Sequence, residues 1–301
     1  MQQNRENRIL SPHRIVVKLA LYRMRSWLKH RLTARHTGGH GVHSPYLFEW
    51  VRMILHDRNA YYAWGEIEAL REGLLHDERE VMFVDYGSAA RCQKKNEGSD
   101  PRRICDIARK SLARKKYAQM LARLVGWLGA SRWSGGQEQA PTGEGLVILE
   151  LGTSLGITTA YLAAMDSRNR VVTCEGCEAV AKIAKTNWRV LGLDNVDCLV
   201  GELTPERLQQ IVERIDGRLD VAFVDANHTY ASTCAYFNIL AQRVHDKSVI
   251  VVDDIHHSPE MERAWKEICA DERVTSTMDF YQMGMVFFDK HYWRRDYRIR
   301  L

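Results

Sequence analysis

The stretch that decides the fold is Val147-Ile-Leu-Glu-Leu-Gly152-Thr-Ser-Leu-Gly156. Its first five residues are mostly branched and apolar, which is typical of a buried strand. The two glycines that follow allow the backbone to turn tightly and to approach a ligand closely. Because a helix is predicted to start at residue 156, the stretch indicates a strand, a turn and a helix in succession. In an open α/β sheet such a turn lies beyond the carboxyl ends of the strands, where ligands bind.

The same alternation of short apolar runs and amphipathic stretches continues along the rest of the chain. It predicts strands over 146–151, 170–175, 196–200, 219–225 and 248–253, with helices over 156–166, 177–191, 204–215, 229–244 and 259–270. This order indicates a doubly wound α/β fold, a mostly parallel sheet with helices on both faces. Two further runs, 274–280 and 283–288, are too close for a helical crossover and are expected to form an antiparallel edge hairpin, which brings the sheet to seven strands.

The residues before this alternation predict a mainly helical N-terminal extension over 1–135, followed by the α/β domain over 136–301. The boundary falls in a stretch from 131 to 145 that is rich in glycine. Apolar residues recur at helical spacing from 11 to about 34, with Ser11-Pro12 as the helix start. The other elements expected here are helices over 46–56, 62–77 and 104–128 and a short strand over 81–85.

Positive charge is concentrated near the N-terminus. The net charge of the whole chain is +5 at pH 7, yet nine basic residues and one acidic residue lie in the first 45. The basic helix has three interpretations: a solvated helix packed on the core, a contact with an anionic membrane surface, or a contact with an acidic substrate such as a nucleic acid. The sequence leaves these three open, and it leaves homodimer formation open as well.

Cysteine usage and hydropathy indicate the compartment. Seven cysteines without framework spacing argue against a disulfide-stapled secreted protein and favour a reducing compartment. No apolar run approaches the roughly 18 residues of a membrane span, and the first eight residues are polar, unlike a signal peptide. We therefore expect a soluble cytoplasmic protein.

A carboxylate ends the second predicted strand, Val-Val-Thr-Cys-Glu175. It is placed to accept hydrogen bonds from both hydroxyls of a ribose. The spacing Glu150-x-Gly152-x-x-x-Gly156 differs from the Gly-x-Gly-x-x-Gly of turns that bind a pyrophosphate. A dinucleotide-binding turn and an ordinary strand-to-helix connection nevertheless remain alternatives.

Together with the final hairpin, this arrangement over residues 146–290 resembles the class I, Rossmann-like S-adenosylmethionine-dependent methyltransferases. The resemblance implies that the turn holds the amino-acid and ribose parts of S-adenosylmethionine and that the second strand end binds the ribose. It also places the residues after the third strand at the adenine. The cofactor-binding residues that it implies are Glu150, Gly152, Thr153, Ser154, Gly156, Glu175, Gly201, Glu202 and Asp225.

A second resemblance covers nearly the whole chain. His-Gly-Val-His-Ser-Pro over 40–45, Glu-Leu-Gly-Thr-Ser-Leu-Gly over 150–156, Asp-Asp-Ile-His over 253–256 and Glu-Met-Glu-Arg-Ala-Trp over 260–265 are similar to motifs of a methyltransferase family common in Bacteroidetes. This resemblance implies the same class of enzyme and names no acceptor.

Three aspartates end the fourth and fifth predicted strands, Asp225 on one and Asp253-Asp254 on the next. Neighbouring strand ends bring them together, and a hard cation such as Mg²⁺ prefers oxygen ligands of this kind. The pattern resembles the metal-dependent catechol and caffeoyl-CoA O-methyltransferases, with Asp254 in place of their asparagine and His228 in place of their lysine. This resemblance implies a Mg²⁺ site at the three aspartates and a catalytic pair of Asp225 and His228, with the histidine as general base. In the alternative interpretation, the aspartates only order the strand ends.

The function expected from these features is S-adenosylmethionine-dependent O-methylation of a small or medium hydroxylated acceptor, with or without Mg²⁺. Four histidines are expected to line the acceptor pocket: His40, His43, His256 and His257. Methylation of a nucleic-acid base is disfavoured, because Asp225-Ala-Asn-His228 stands where such enzymes carry Asn/Asp-Pro-Pro-Tyr/Phe. A nucleotide-linked substrate and a cofactor-binding module without activity remain the alternatives.

Overall fold

The computed structural model describes most of the chain, including the α/β region from residue 145 onward except one residue of a turn and three near the C-terminus. The described residues are 12–35, 38–39, 41–42, 44–57, 59, 61–86, 100–134, 145–215, 217–290 and 294–301. Within these ranges no helix is both long enough and apolar enough to cross a membrane. The described cysteines carry free thiols.

The N-terminal part is mainly helical, as predicted. Its elements are α1 (Pro12–Thr33), α2 (Pro45–Trp50), α3 (Tyr62–His76), β1 (Glu80–Phe83), β2 (Asp100–Arg103), α4 (Ile104–Ser111) and α5 (Lys115–Ser134). A π-helical turn, Val51–Leu55, continues α2. β1 and β2 form an antiparallel pair, and β2 was not predicted because Asp-Pro-Arg-Arg has no apolar alternation.

The single helix predicted over 104–128 is wrong, because the chain breaks between α4 and α5. The backbone of Leu112 is extended, with φ −74° and ψ 124°. The guanidinium of Arg71 in α3 donates a hydrogen bond of 2.7 Å to the carbonyl of Ala113, an acceptor that an uninterrupted helix would use internally. A long-range partner of this kind leaves no periodic signal in the sequence.

The central sheet has eight strands in the order β10-β8-β9-β7-β6-β3-β4-β5. They are β3 (Val147–Leu151), β4 (Arg170–Glu175), β5 (Val196–Val200), β6 (Val221–Val224), β7 (Val249–Asp253), β8 (Ser276–Asp279), β9 (Met283–Phe287) and β10 (Arg295–Arg298). β3 to β7 are parallel, and β8 and β9 form the predicted antiparallel hairpin. The chain therefore reverses its winding between β3 and β6, at the position where α/β sheets bind ligands.

The predicted count of seven strands is corrected by β10, which pairs in parallel with β8 at the sheet edge. Its sequence, Arg-Asp-Tyr-Arg, buries only Tyr297. A strand that buries one side chain in four carries too little hydrophobic periodicity to be predicted.

Helices cover both faces of the sheet, as predicted. They are α6 (Ile157–Ala163), α7 (Glu178–Val190), α8 (Pro205–Arg214), α9 (Tyr230–Leu240) and α10 (Pro259–Ala270). Alternate strand residues face opposite cores: Ile148 packs with residues of α2 and α5, whereas Leu149 packs with residues of α8, α9 and α10. The N-terminal helices α2 and α5 thus complete one face of the α/β core. The domain boundary at 135/136 stays a prediction, since residues 135–144 lie outside the described ranges.

Polar contacts hold α1 against the C-terminal half of the sheet. Its Tyr22 hydroxyl donates to the carboxylate of Glu262, and its Arg23 guanidinium donates to the carbonyl of His257 at 3.0 Å. Near the helix end, His30 lies 3.2 Å from a carboxylate oxygen of Asp279. A second histidine, His256, contacts the same carboxylate at 2.9 Å. Asp279 is therefore the buried anion that joins α1 to β8.

Burial alone would raise the pKa of Asp279, but hydrogen bonds and charge from His256 and His30 outweigh it and lower the pKa below its ordinary value. A lowered carboxyl pKa stabilises the fold above the unfolded pKa of about 3.9, and this stability is lost as the pH falls through the folded pKa. We expect Asp279→Asn to lower the free energy of unfolding at neutral pH by about 1–3 kcal/mol. Below pH 4 the difference from wild type should shrink.

Urea unfolding of wild type and Asp279→Asn over a pH series measures the difference in their free energy of unfolding. The control is Asp246→Asn, which alters an exposed aspartate. A difference between wild type and Asp279→Asn that stays constant down to acid pH would contradict the assignment.

Candidate active site

The carboxyl ends of the parallel strands open onto a cavity of about 560 Å³. Seven of the predicted site residues line it: Gly152, Ser154, Glu175, Asp225, His228, Asp253 and Asp254. They come from the ends of β3, β4, β6 and β7, so the sheet itself gathers them. The helical extension supplies the other wall.

Gly152 fixes the position of the turn after β3. Its φ is +102°, and a Cβ atom built on it would lie 2.1 Å from the carbonyl oxygen of Asp225. The backbone N–H of Asp225 in turn donates to Leu151 at 2.9 Å. Because both the dihedral angle and the close approach exclude a side chain, only glycine allows the ends of β3 and β6 to meet here.

Glu175 ties this turn to the end of β4. Its carboxylate accepts hydrogen bonds from the backbone N–H of Ser154 at 2.8 Å and of Cys177 at 2.9 Å. Burial raises the pKa of Glu175, and these backbone donors offset part of that effect. A carboxylate offers about four acceptor positions, so positions remain for the hydroxyls of a ribose. Glu175 therefore fits the role expected of it.

Glu150 lies beneath the turn and does not line the cavity. It is fully buried, and one carboxylate oxygen accepts from the hydroxyls of Thr159 at 2.5 Å and Thr173 at 2.7 Å. The other oxygen has no hydrogen-bond partner among the described residues. Burial raises the pKa of Glu150 to about 8, against the lowering effect of the two threonines. The described geometry gives Glu150 a supporting position under the turn.

Four other predicted cofactor residues also lie off the cavity wall: Thr153, Gly156, Gly201 and Glu202. Gly156 packs on the indole of Trp188, whose Nε1 donates to the Gly156 carbonyl at 2.8 Å. The space that its missing side chain leaves is therefore filled by an aromatic ring. The guanidinium of Arg207 lies in the same way against Gly201.

At the acceptor end, two aspartates are paired with histidines. Asp225 lies 3.2 Å from Nε2 of His228, and Asp254 lies 3.2 Å from Nδ1 of His257. Burial lowers the pKa of His228, but the hydrogen bond to Asp225 and the nearby aspartates outweigh it and raise the pKa to about 9. At neutral pH the imidazole is therefore mostly cationic and compensates the carboxylates.

Asp253 differs from its two neighbours. It is buried, and its Oδ1 has no hydrogen-bond partner among the described residues. Burial and the charges of Asp225 and Asp254 raise its pKa well above the ordinary value. A neutral carboxyl can donate a hydrogen bond. The cavity wall here therefore combines the neutral carboxyl group of Asp253, the carboxylate of Asp225 and the imidazole of His228.

Backbone strain is concentrated around the cavity. The described non-glycine residues with positive φ are Ser154, Asn227, His228, Asp254 and Tyr281. Four of these line the cavity, and Tyr281 lines a second one beside it. Such conformations cost of order 1–3 kcal/mol each and persist where the surrounding structure fixes them, which is typical of functional sites.

The predicted magnesium site is not formed by the described residues. They contain no group of three His, Cys, Asp or Glu side chains arranged to hold a metal. Two of the three aspartates direct their carboxylates to histidines, which are unlike the oxygen donors that Mg²⁺ prefers. The described arrangement of these carboxylates therefore does not form a site for this ion.

The predicted acceptor-pocket histidines have three different positions. His40 and His43 lie outside the described residues. His257 lines the second cavity, where it contacts Asp254 and Arg23. His256 lines it too, although its ring is mostly buried against Asp279 and so belongs to the α1 anchor.

Comparison with known proteins agrees with this geometry. Residues 149–255 match a family model described as a methyltransferase domain. No curated protein matches the chain. An O-methyltransferase from Bacillus cereus, solved in complex with SAH, is 20% identical, with a TM-score of 0.50 over 79% of this chain and 96% of that one. Cofactor-bound Rv0187 from MTB is 16% identical, with a TM-score of 0.50 over 81% and 97% of the two chains.

Over residues 149–255, referred to as the methyltransferase domain, the chain is therefore similar to methyltransferases. The two solved structures share its class I, Rossmann-like fold. The matched range runs from inside β3 to just beyond β7. It therefore contains the glycine turn, Glu175 and the three aspartates.

The methyltransferase domain does not build the cavity alone. Residues of the N-terminal part that sequence analysis missed also line it, among them Tyr86, Ser111 and Arg114. The hydroxyl of Ser111 lies 2.6 Å from that of Ser154, so the end of α4 contacts the glycine turn directly. The break between α4 and α5 places Ser111 and Arg114 at the cavity. In the sequence, Ser111-Leu-Ala-Arg114 carries no motif that predicts this position.

Substitution of Gly152 tests the turn. We expect Gly152→Ala to abolish S-adenosylhomocysteine binding, because the added methyl group would overlap the Asp225 carbonyl. The matched control is Gly192→Ala, where φ is also positive, +67°, but no atom lies within 4 Å of the added carbon. The control should cost only the dihedral strain of about 1–2 kcal/mol and retain binding.

Calorimetric titration with S-adenosylhomocysteine and thermal unfolding measure the two effects separately. Equal affinity of both variants for the ligand would show that the contact between β3 and β6 is dispensable.

Proposed function

We propose that the protein transfers the methyl group of S-adenosylmethionine to a hydroxyl oxygen of a small acceptor. The observation that carries this proposal is the cavity with two chemically different ends. One end has the glycine turn and Glu175, and the other has Asp225, His228 and Asp253. A sulfonium and a hydroxyl held at these two ends would face each other across one cavity.

The cofactor end is suited to a nucleoside with an amino-acid tail. Glu175 retains acceptor positions for ribose hydroxyls, as described above. The turn at Gly152 brings backbone close to the cavity. When bound, S-adenosylmethionine supplies the transferable methyl group on a good leaving group. The protein then has to position the acceptor and remove its proton.

His228 is the proposed proton acceptor, and Asp225 holds its ring. The imidazole lies on the cavity wall with its Nε2 against the Asp225 carboxylate. Because its pKa is about 9, the neutral form that accepts a proton is the minor one at pH 7. No step of this proposal needs a metal.

The geometry favours a hydroxyl acceptor over a nucleic-acid base. In the motif of base-methylating enzymes, the first residue holds the exocyclic amine, and Asp225 stands at that position here. Its carboxylate is instead directed to Nε2 of His228 at 3.2 Å. The residues between them, Ala226 and Asn227, also differ from the two prolines of that motif.

The test is transfer of label from S-adenosylmethionine to a panel of phenols, catechols and hydroxy acids. We expect His228→Gln to lower kcat by about 10²–10⁴-fold, because glutamine cannot serve as the base, while affinity for S-adenosylhomocysteine stays unchanged. The control is His245→Gln, which changes an equivalent histidine–aspartate contact, 3.0 Å from Asp220, away from the cavity. Wild-type activity should persist in the presence of a chelator.

Two outcomes would overturn the proposal. Binding of S-adenosylhomocysteine without labelling of any acceptor would favour a module that binds the cofactor without catalysis. An equal loss of kcat in the two histidine variants would remove His228 from the mechanism.

A second proposal concerns α1, which we infer to lie on an anionic membrane surface. Large apolar side chains on it are exposed: Leu21 54%, Met24 63%, Leu28 51% and Leu32 73%. At 100° per residue these four fall within about 80° of the helix circumference. The exposed basic residues Lys18, Arg25 and Lys29 border this stripe. An apolar stripe beside a basic one is the pattern of helices that lie in a lipid interface.

Charge argues against a second copy of the chain as the occupant of this stripe. The helix carries six basic and no acidic residues from Pro12 to Thr33. Two such helices face to face would oppose like charges. Anionic lipid headgroups, in contrast, complement them.

Co-sedimentation with phosphatidylcholine vesicles, with and without phosphatidylserine, tests this surface. We expect binding only to the anionic vesicles and a loss of more than tenfold in Leu21→Ser/Leu28→Ser, since each leucine contributes about 1.5–3 kcal/mol when buried. Val190→Ser removes a side chain of similar exposure, 73%, from α7 and should bind normally. Sedimentation velocity of the wild type and of the double variant checks the alternative. If the wild type is a dimer and the double variant is a monomer, a second copy of the chain covers the stripe and the membrane proposal is wrong.

A further inference from the structure

A second cavity of about 400 Å³ lies between α1 and the active site. Its described walls come from α1, from the start of α5, from the segment after β8 and from the C-terminal end of the chain. It adjoins the first cavity, because Arg114, Asp254 and Gln282 line both. We call it the basic chamber, after its cationic lining residues Arg23, Arg31, Arg114, Lys116 and Arg300.

Positive charge in the basic chamber exceeds negative charge. Asp254 is its one carboxylate side chain among the described residues, and it is paired with His257. Within the described chain no carboxylate forms an ion pair with Arg31, Arg114 or Lys116, whereas Lys115 next to them lies 3.8 Å from Glu68.

The cations are close enough to affect one another. Burial and the charge of Arg114 together lower the pKa of Lys116. The guanidinium of Arg31 lies over the ring of Trp27, 5.3 Å from its centroid, and the side chain is exposed. Arg31, Arg114 and Lys116 are exposed to solvent, which screens their charge, and together they attract an anion to this cavity.

We propose that the basic chamber binds an anionic oxygen group, a phosphate or a carboxylate, of the same acceptor whose hydroxyl is methylated in the first cavity. Guanidinium groups donate paired hydrogen bonds that match the geometry of both anions. The rings of Trp27 and Tyr281 add flat walls that suit a planar or apolar part of the acceptor. This inference rests on the proposed O-methylation and adds the class of substrate, an acidic hydroxylated compound.

The residues that line both cavities connect the basic chamber to the first cavity. Arg114 and Gln282 lie where the two cavities meet, so one molecule could reach from His228 into the chamber. A neutral acceptor would leave the cations without a partner. Selectivity for acidic acceptors would then come from α1 and α5 and not from the methyltransferase domain.

The experiment is calorimetric titration with inorganic pyrophosphate and with malonate, in the presence and absence of S-adenosylhomocysteine. We expect at least one probe to bind, and Arg31→Gln and Lys116→Gln each to weaken it about tenfold, the effect of losing one hydrogen bond to a charged group. The matched controls are Arg189→Gln and Lys247→Gln, which remove the same charges from exposed positions outside both cavities and away from α1. Preserved affinity of all four variants for S-adenosylhomocysteine shows that they are folded.

Tighter binding of pyrophosphate identifies a phosphate group, and tighter binding of malonate identifies a carboxylate. No binding of either probe overturns the inference, and so does an equal loss in chamber and control variants, which would indicate nonspecific attraction to a basic surface. If wild type binds pyrophosphate but not S-adenosylhomocysteine, the proposed methyl transfer fails while the anion site remains.

Discussion

The active site depends on the absence of a side chain at one position. Gly152 lets the end of β3 approach the Asp225 carbonyl at the end of β6. These two strands are neighbours because the winding of the sheet reverses between them. That contact sets how far the turn lies from the aspartates. Glu175 then fixes the turn laterally through the N–H of Ser154. The turn is thus held on two sides through its own backbone.

Electrostatic compensation is internal to the site. Clustered carboxylates at strand ends must be neutralised by a cation, by protonation or by solvent. Here His228 and His257 pair with two of them, and the third, Asp253, has a raised pKa. His228 stands where a lysine was expected from the resemblance. Its imidazolium supplies a positive charge beside Asp225, and this charge is lost when the ring is deprotonated.

The sequence predicted those parts of the fold that repeat and missed those that depend on single long-range contacts. Parallel strands and their helices follow from hydrophobic periodicity, and the glycine turn follows from its spacing. The break between α4 and α5 depends on Arg71 and the carbonyl of Ala113, which are far apart in the chain. The space beside Gly156 is taken by Trp188, so a glycine that suggested a ligand packs against a ring. The chamber beyond Asp254 had no motif, because its residues come from elements separated by most of the chain.

The attachment of α1 has a consequence for local stability. Of the described side chains on this helix, only that of His30 is buried, and the helix contributes no apolar residue to the core. It is held by hydrogen bonds, each worth about 1 kcal/mol against competing water. Such an element opens at a small fraction of the global unfolding free energy, so its amide protons would exchange long before those of β3 or β6. One wall of the basic chamber is thus a segment that can detach without opening the sheet, which gives a ligand a route of entry.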